Sequence, residues 1–190
     1  QPPTGTRPLT YEPSSGRSIL ISPRWRDACG VFGIVAPHED VSRLTYLGLY
    51  ALQHRGQESA GIAVSSGGDI AAWVDMGLVQ QVFDDRTLGL LKGANAIGHV
   101  RYSTTGDSNL CNAQPLVAGK GRFQLALGHN GNLVNGLDLR DECLRRRLPV
   151  RGTSDSEAMT LLLQHAWEED GGSLEETLVR VLPQFRGAFS

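Results

Sequence analysis

The sequence predicts an α+β fold, a four-layer α/β/β/α sandwich of two stacked, mainly antiparallel sheets flanked by helices. Three observations lead there. Apolar segments of strand length come in runs and helical segments in pairs, whereas a parallel α/β fold alternates them. A turn of Ser66-Gly67-Gly68-Asp69 joins two strand segments directly. The helical segments carry apolar residues at helical spacing, so helices outside two packed sheets would bury both sets of apolar faces.

In order along the chain, CGVFGIV over 29–35 is a continuous apolar run, as expected of a strand buried on both faces. Asp40 is placed to cap a helix over 41–53, where Val41, Leu44, Leu47, Tyr50 and Ala51 recur at helical spacing. Residues 61–64 and 70–74 read as short strands, 84–91 as a short helix, 96–102 and 123–128 as strands, and 137–147 as a helix capped by Asn135. Two capping boxes follow. Ser154 with Glu157 opens a helix to about Glu169, and Ser173 with Glu176 opens another, with Leu174, Leu178, Val181 and Leu182 facing inward. Pro183 ends or kinks that last helix.

Composition narrows the functional classes. The 190 residues, 40% hydrophobic, suit one globular domain with a real core. A net charge of −2 leaves no basic surplus for nucleic acid. No apolar run approaches the roughly 20 residues of a membrane span. Cys29, Cys111 and Cys143 are widely spaced without a CxxC pair, which argues against a zinc ribbon, a thioredoxin-like site and a disulfide scaffold. Reduced thiols in a cytoplasm are the simpler reading, with Cys111 and Cys143 as packing residues.

Residues 1–28 differ from the rest. They carry Pro2, Pro3, Pro8, Pro13 and Pro23, and read as extended or disordered. Ile19-Leu20-Ile21 is too short for a secretory core. The sharper reading is a propeptide ending at Ala28. Because the chain opens on Gln1 and stops at Ser190 without a polar tail, we expect a fragment whose last strands are missing.

Four segments set polar residues beside glycines at strand ends: Cys29-Gly30, GHVRYST over 98–104, HNGN over 129–132 and TSDSE over 153–157. Taken singly, each has an ordinary explanation. Asn130-Gly131 could be a hairpin turn, Arg101 a surface ion-pair partner, and Asp155 a first-turn residue favoured by the helix dipole. His54, His99 and His129 are not spaced as metal ligands and read as hydrogen-bonding residues.

Taken in order, CGVFGI (29–34), LQHRGQESAGI (52–62), GHVRYST (98–104), GHNGNL (128–133) and TSDSE (153–157) resemble the motif set of class II glutamine amidotransferases, which are N-terminal-nucleophile hydrolases. The resemblance covers 29–190. The wording of 52–61, with Tyr102 and Thr105, is similar to the amidophosphoribosyltransferase branch and unlike the glucosamine-6-phosphate synthase branch. It implies the N-terminal-nucleophile hydrolase fold, with Cys29 as nucleophile after removal of 1–28. The Asn130 side chain and Gly131 N–H would stabilise the oxyanion, Arg101 would hold the α-carboxylate of glutamine, and Asp155 its α-ammonium. Thr104 would add a hydrogen bond, and Arg55 would support and gate the nucleophile. In the full enzyme, ammonia would pass to a phosphoribosyltransferase domain absent from this chain. There it would convert phosphoribosyl pyrophosphate to 5-phosphoribosylamine for purine synthesis. No cofactor is implied here; magnesium, and in some relatives an iron–sulfur cluster, are expected in the full-length enzyme, a homo-oligomer (tetramer).

Elementary chemistry agrees with the resemblance. A thiol of pKa about 8.5 is only a few per cent thiolate near neutrality. An α-amino group titrates at about 7.7–8.0, so the amine of a first-residue cysteine could serve its own sulfur without a separate histidine. Two rivals remain open. One is an N-terminal-nucleophile hydrolase of another amide, against which Arg101 with Asp155 argues, since that pair suits a free amino acid. The other is a non-catalytic glutamine-sensing module.

Overall fold

In its first half, the chain lays one long helix across a four-stranded sheet. The computed structural model describes residues 29–102 and 109–190; the leader and Thr104 lie outside the described residues. Strand β1 (Gly30–Val35) leads to helix α1 (Val41–Leu52), then to the hairpin of β2 (Ser59–Ser66) and β3 (Asp69–Met76). Two short helices, α2 (Val79–Val82) and α3 (Asp85–Leu90), precede β4 (Asn95–Arg101). The sheet order is β1-β4-β2-β3, and every pairing is antiparallel.

Helix α1 starts where expected, with the Asp40 carboxylate accepting the Arg43 amide at 3.2 Å. Its packed face is not the one its large apolar residues trace. Val41, Ser42, Thr45 and Leu49 are buried, while Leu47 and Tyr50 are exposed. Steric demand is the cause: a Cβ on Gly48 would stand 2.4 Å from the Phe32 ring, and one on Gly98 would stand 2.6 Å from Thr45. Only small residues allow this approach. The buried hydroxyls are satisfied, Thr45 donating to the Val41 carbonyl at 2.7 Å and Ser42 to the Leu88 carbonyl at 3.0 Å.

The expectation for β1 is corrected. Among the described residues it is an edge strand with α1 on one face only, so burial alternates: Phe32 and Ile34 pack against the core, while Val31 and Val35 are 37% and 79% exposed. The uncovered side is an open apolar trough of about 370 Å³ between Gly33, Val35, Ala63, Ile97 and Ala126.

The second half builds the other two layers. Strand β5 (Leu116–Ala118) pairs with β6 (Leu125–Leu127), and β7 (Gly131–Leu133) with β8 (Gly187–Phe189), both antiparallel. Helices α4 (Gly136–Arg145), α5 (Asp155–Asp170) and α6 (Leu174–Val181) pack around a second core that includes Leu125, Leu133, Leu139, Met159 and Val181. Of the residues expected to face inward on α6, Val181 is buried and Leu178 packs against this core, but Leu182 falls in an exposed 3-10 turn with Pro183.

Two caps also differ from expectation. Ser154 accepts the Glu157 amide at 3.3 Å, but the Glu157 carboxylate turns to the amides of Arg151 and Gly152, at 2.7 and 2.8 Å. Asn135 makes no cap bond to α4; its side chain bridges the Gln184 carbonyl and the Arg186 amide. Cys111 is exposed rather than packed, on the outer side of a 3-10 turn (Leu110–Asn112) that buries its neighbour Asn112. Cys143 is fully buried, and burial pushes its thiol up to about 11.

The segment before β5 lies close against β2, where a Cβ on Gly61 would stand 2.2 Å from the Gln114 carbonyl. No helix among the described residues is long and apolar enough to cross a membrane. Gly61→Val should therefore lower stability by about 1–3 kcal/mol through overpacking. Gly89→Ala, in an exposed turn of α3 with open space around it, should raise stability by roughly 0.5–1 kcal/mol. Urea midpoints of the two variants should move in opposite directions.

Candidate active site

Cys29 directly precedes β1, and the pairing of β1 with β4 sets it beside the end of β4. The Tyr102 amide points at the Cys29 sulfur at 3.4 Å, and the thiol faces the Tyr102 carbonyl at 3.6 Å. The loop after α1 closes over this corner. The Gln53 side chain pins it, accepting the Val79 amide at 2.6 Å and donating to the Gly56 carbonyl. Gly56 lies so close to β4 that a Cβ would stand 2.7 Å from the backbone of Val100 and Arg101. Two side chains are delivered by this loop. Arg55 Nε donates to the Cys29 carbonyl at 3.2 Å. The Glu58 carboxylate pairs with the guanidinium of Arg101, where the two side chains are only 13% and 4% exposed. Arg101 is thus a buried ion-pair partner and not a surface one.

A second cluster lies between the sheets. The His129 amide donates to Gln114 Oε1 at 2.7 Å, and the His129 carbonyl meets His99 Nε2 at 3.0 Å. The His129 ring reaches Ser156 Oγ at 2.7 Å and stands 3.8 Å from the Asp155 carboxylate. Residue 129 is therefore held from β4, from α5 and from the segment before β5, and Asn130 follows it. Asn130 exchanges both backbone hydrogen bonds with Ser190, each at 2.8 Å. Asn130-Gly131 therefore opens β7 and is not a hairpin turn. In an antiparallel ladder the next pair, Gly131 with Phe189, is not hydrogen-bonded, so the Gly131 N–H points away from β8. Gly131 has a φ of +153°, and a Cβ there would stand 2.4 Å from the Ala188 carbonyl, which is why glycine occupies the position.

Asp155 opens α5, and its carboxylate accepts the amides of Leu133 and Ser156, each at 2.8 Å. Its first-turn position and its placement against the 130–133 segment coexist. The structure thus gathers Cys29, Arg55 and Arg101 in one corner and Asn130, Gly131 and Asp155 in another, with the His99–His129 contact joining the two. Thr104 lies outside the described residues. His54 is exposed, its ring 3.0 Å from the Ala51 carbonyl. Glu58 was missed from sequence; the available signal was that an arginine destined for burial needs a counter-ion.

Burial pushes the His99 ring down to about 4, outweighing the support of the His129 carbonyl. Burial also lowers His129, against the upward pull of the Asp155 carboxylate. A neutral His99 that meets a carbonyl through Nε2 carries its proton there. Among the described residues, no group of three or more His, Cys, Asp or Glu side chains could hold a metal ion.

Comparison with known proteins identifies the family. The chain belongs to the class-II glutamine amidotransferases, whose family pattern matches residues 72–187. Within that class, it is similar to amidophosphoribosyltransferases. It is 52% identical over 179 residues to that of Mycobacterium tuberculosis (strain ATCC 25618 / H37Rv), covering 90% of this chain and 33% of the relative. Identity is 45% over 185 residues with that of Synechococcus elongatus, covering 97% and 37%. Among solved structures, it resembles the glutamine phosphoribosylpyrophosphate amidotransferase from B. subtilis complexed with ADP and GMP. That likeness has a TM-score of 0.71 and 38% identity over 84% of this chain and 33% of that one. The chain spans about a third of the length of the curated relatives it matches.

The neutral state of His99 has a consequence for acid stability. Unfolded histidine takes a proton near 6.5, and the folded ring does so only at about 4. Stability from this residue is complete above about 6.5, falls as pH drops toward 4, and amounts to about 3 kcal/mol across that window. His99→Gln keeps a donor but does not titrate. Urea unfolding at pH 7 and pH 4.5 should show a smaller loss for this variant than for the parent.

Proposed function

We propose that this domain hydrolyses the side-chain amide of glutamine through a thioester on Cys29, and that the whole protein passes the ammonia to phosphoribosyl pyrophosphate, forming 5-phosphoribosylamine. The observation that carries the reading is the Cys29 sulfur, 3.4 Å from the Tyr102 amide at the end of the strand that bears Arg101. Removal of residues 1–28 turns the Cys29 nitrogen from an amide into a free amine. That amine takes the thiol proton as the sulfur attacks the carboxamide carbon. The Asn130 side chain and the Gly131 N–H donate to the oxyanion. The tetrahedral species collapses, and the proton held on the amine leaves with ammonia. Water then attacks the thioester, releasing glutamate and restoring the thiol.

Substrate recognition follows from charge. Arg101 receives the α-carboxylate. Asp155 receives the α-ammonium, which its remaining lone pairs permit although two backbone amides already engage it. Thr104 adds a hydrogen bond, and Arg55 steadies the nucleophile through the Cys29 carbonyl. No step in this domain calls for a cofactor. Magnesium, and an iron–sulfur cluster where one occurs, belong in our reading to the rest of the protein, a cytoplasmic homo-tetramer.

In the whole natural protein, N-terminal sequencing should find Cys29 as the first residue. Cys29→Ala should abolish ammonia release from glutamine, and Asn130→Ala should lower kcat by about 10²–10³ with the fold intact. Ammonia release surviving Cys29→Ala would overturn the reading. A folded, trimmed protein whose Cys29 resists a glutamine-like electrophile would point to a glutamine-binding module.

A further inference from the structure

We propose that Glu58 is a positioning residue, which sets the plane of the Arg101 guanidinium so that it meets the α-carboxylate of glutamine; this rests on the role of Arg101 given above. Glu58 stands one residue before β2, and its backbone is fixed on both sides. Its amide donates to the Arg101 carbonyl at 3.1 Å, and its carbonyl accepts the Gly77 amide at 2.8 Å. From that anchored backbone, the carboxylate reaches the guanidinium of the same arginine. The two residues are therefore joined twice, once through the main chain and once through the side chains.

Burial makes this geometry matter. With the Arg101 side chain 4% exposed and that of Glu58 13%, water does not set the direction of the guanidinium. A buried cation needs a hydrogen-bonded counter-ion. A guanidinium is a planar fork of donors in fixed directions, so a carboxylate held against one edge decides where the others point. Coulomb attraction alone would only keep the charges close. Because the Glu58 backbone is tied to both Arg101 and Gly77, the carboxylate is tethered beside the arginine and is one of the contacts that aim the fork.

The alternative is an ion pair that only stabilises the fold. The two roles separate on substrates with and without the charge that Arg101 would bind. In the whole natural protein, glutamine should be compared with its α-carboxamide analogue, glutaminamide. Glu58→Gln should raise KM for glutamine roughly ten- to a hundredfold, with the change falling on KM rather than kcat. KM for glutaminamide should hardly move, so selectivity between the two collapses. Glu58→Asp, which keeps the charge but shortens the reach, should recover part of that selectivity, and it serves the same assay if Glu58→Gln fails to fold. Equal losses on both substrates, or an unchanged KM for glutamine in the folded variants, would overturn the proposal. Arg101→Ala is the control. If it leaves KM for glutamine unaltered, the role of Arg101 is wrong and the proposal falls with it; if it raises KM while the Glu58 variants do not, the error lies with Glu58 alone.

Discussion

The hydrogen bond from His99 Nε2 to the His129 carbonyl joins the two halves of the molecule, between the Cys29 corner and the Asn130 segment. On one side lies the core beneath α1, on the other the core around α5, and the two do not merge. Between them His99, Gln114, His129 and Ser156 are buried, and their bonds to one another run from 2.7 to 3.1 Å. Apolar contact would let one sheet slide over the other at small cost. Directional bonds in a low-dielectric seam do not, because a displaced partner is left unsatisfied. The distance between the Cys29 corner and the Asn130 segment is thus set by a few polar atoms and not by the bulk of either core.

The Cys29 corner is shaped by exclusion as much as by attraction. Gly56 lets a loop settle onto the β4 backbone, and that approach brings Arg55 to Cys29 and Glu58 to Arg101 at once. Any side chain at 56 would lift the loop and withdraw both contacts together. Gly131 performs the same service for the opposite corner, where β8 presses against β7. Both corners therefore hold their shape because there is no room for another.

How much of this was legible in the sequence depended on whether the signal was periodic, local or long-range. Helix starts at Asp40 and Ser173 were readable because a cap is a local event within four residues. The fold class was also readable, but the sequence did not separate buried His99 and His129 from exposed His54. The packed face of α1 was not. Its inward side is made of Ser42, Thr45 and Gly48, chosen for closeness, and hydropathy reports size and greasiness but not clearance. The three-residue strands β5, β7 and β8 carry too few positions for a period of two to show. Asn135 looked like a cap because asparagine often is one, but its partners at 184 and 186 are distant in sequence. Glu58 escaped for the same reason: its worth appears only once Arg101 is seen to be dry.

The trough along β1 and β4 shapes how such a molecule behaves in company. Val35 stands largely in water, Gly33 and Ala63 leave the surface shallow, and among the described residues β1 offers an unpaired edge beside them. A greasy floor next to a free strand edge favours contact between neighbours. With that side bare, crowded copies of the domain would draw together, so its solubility would depend on what covers Val35.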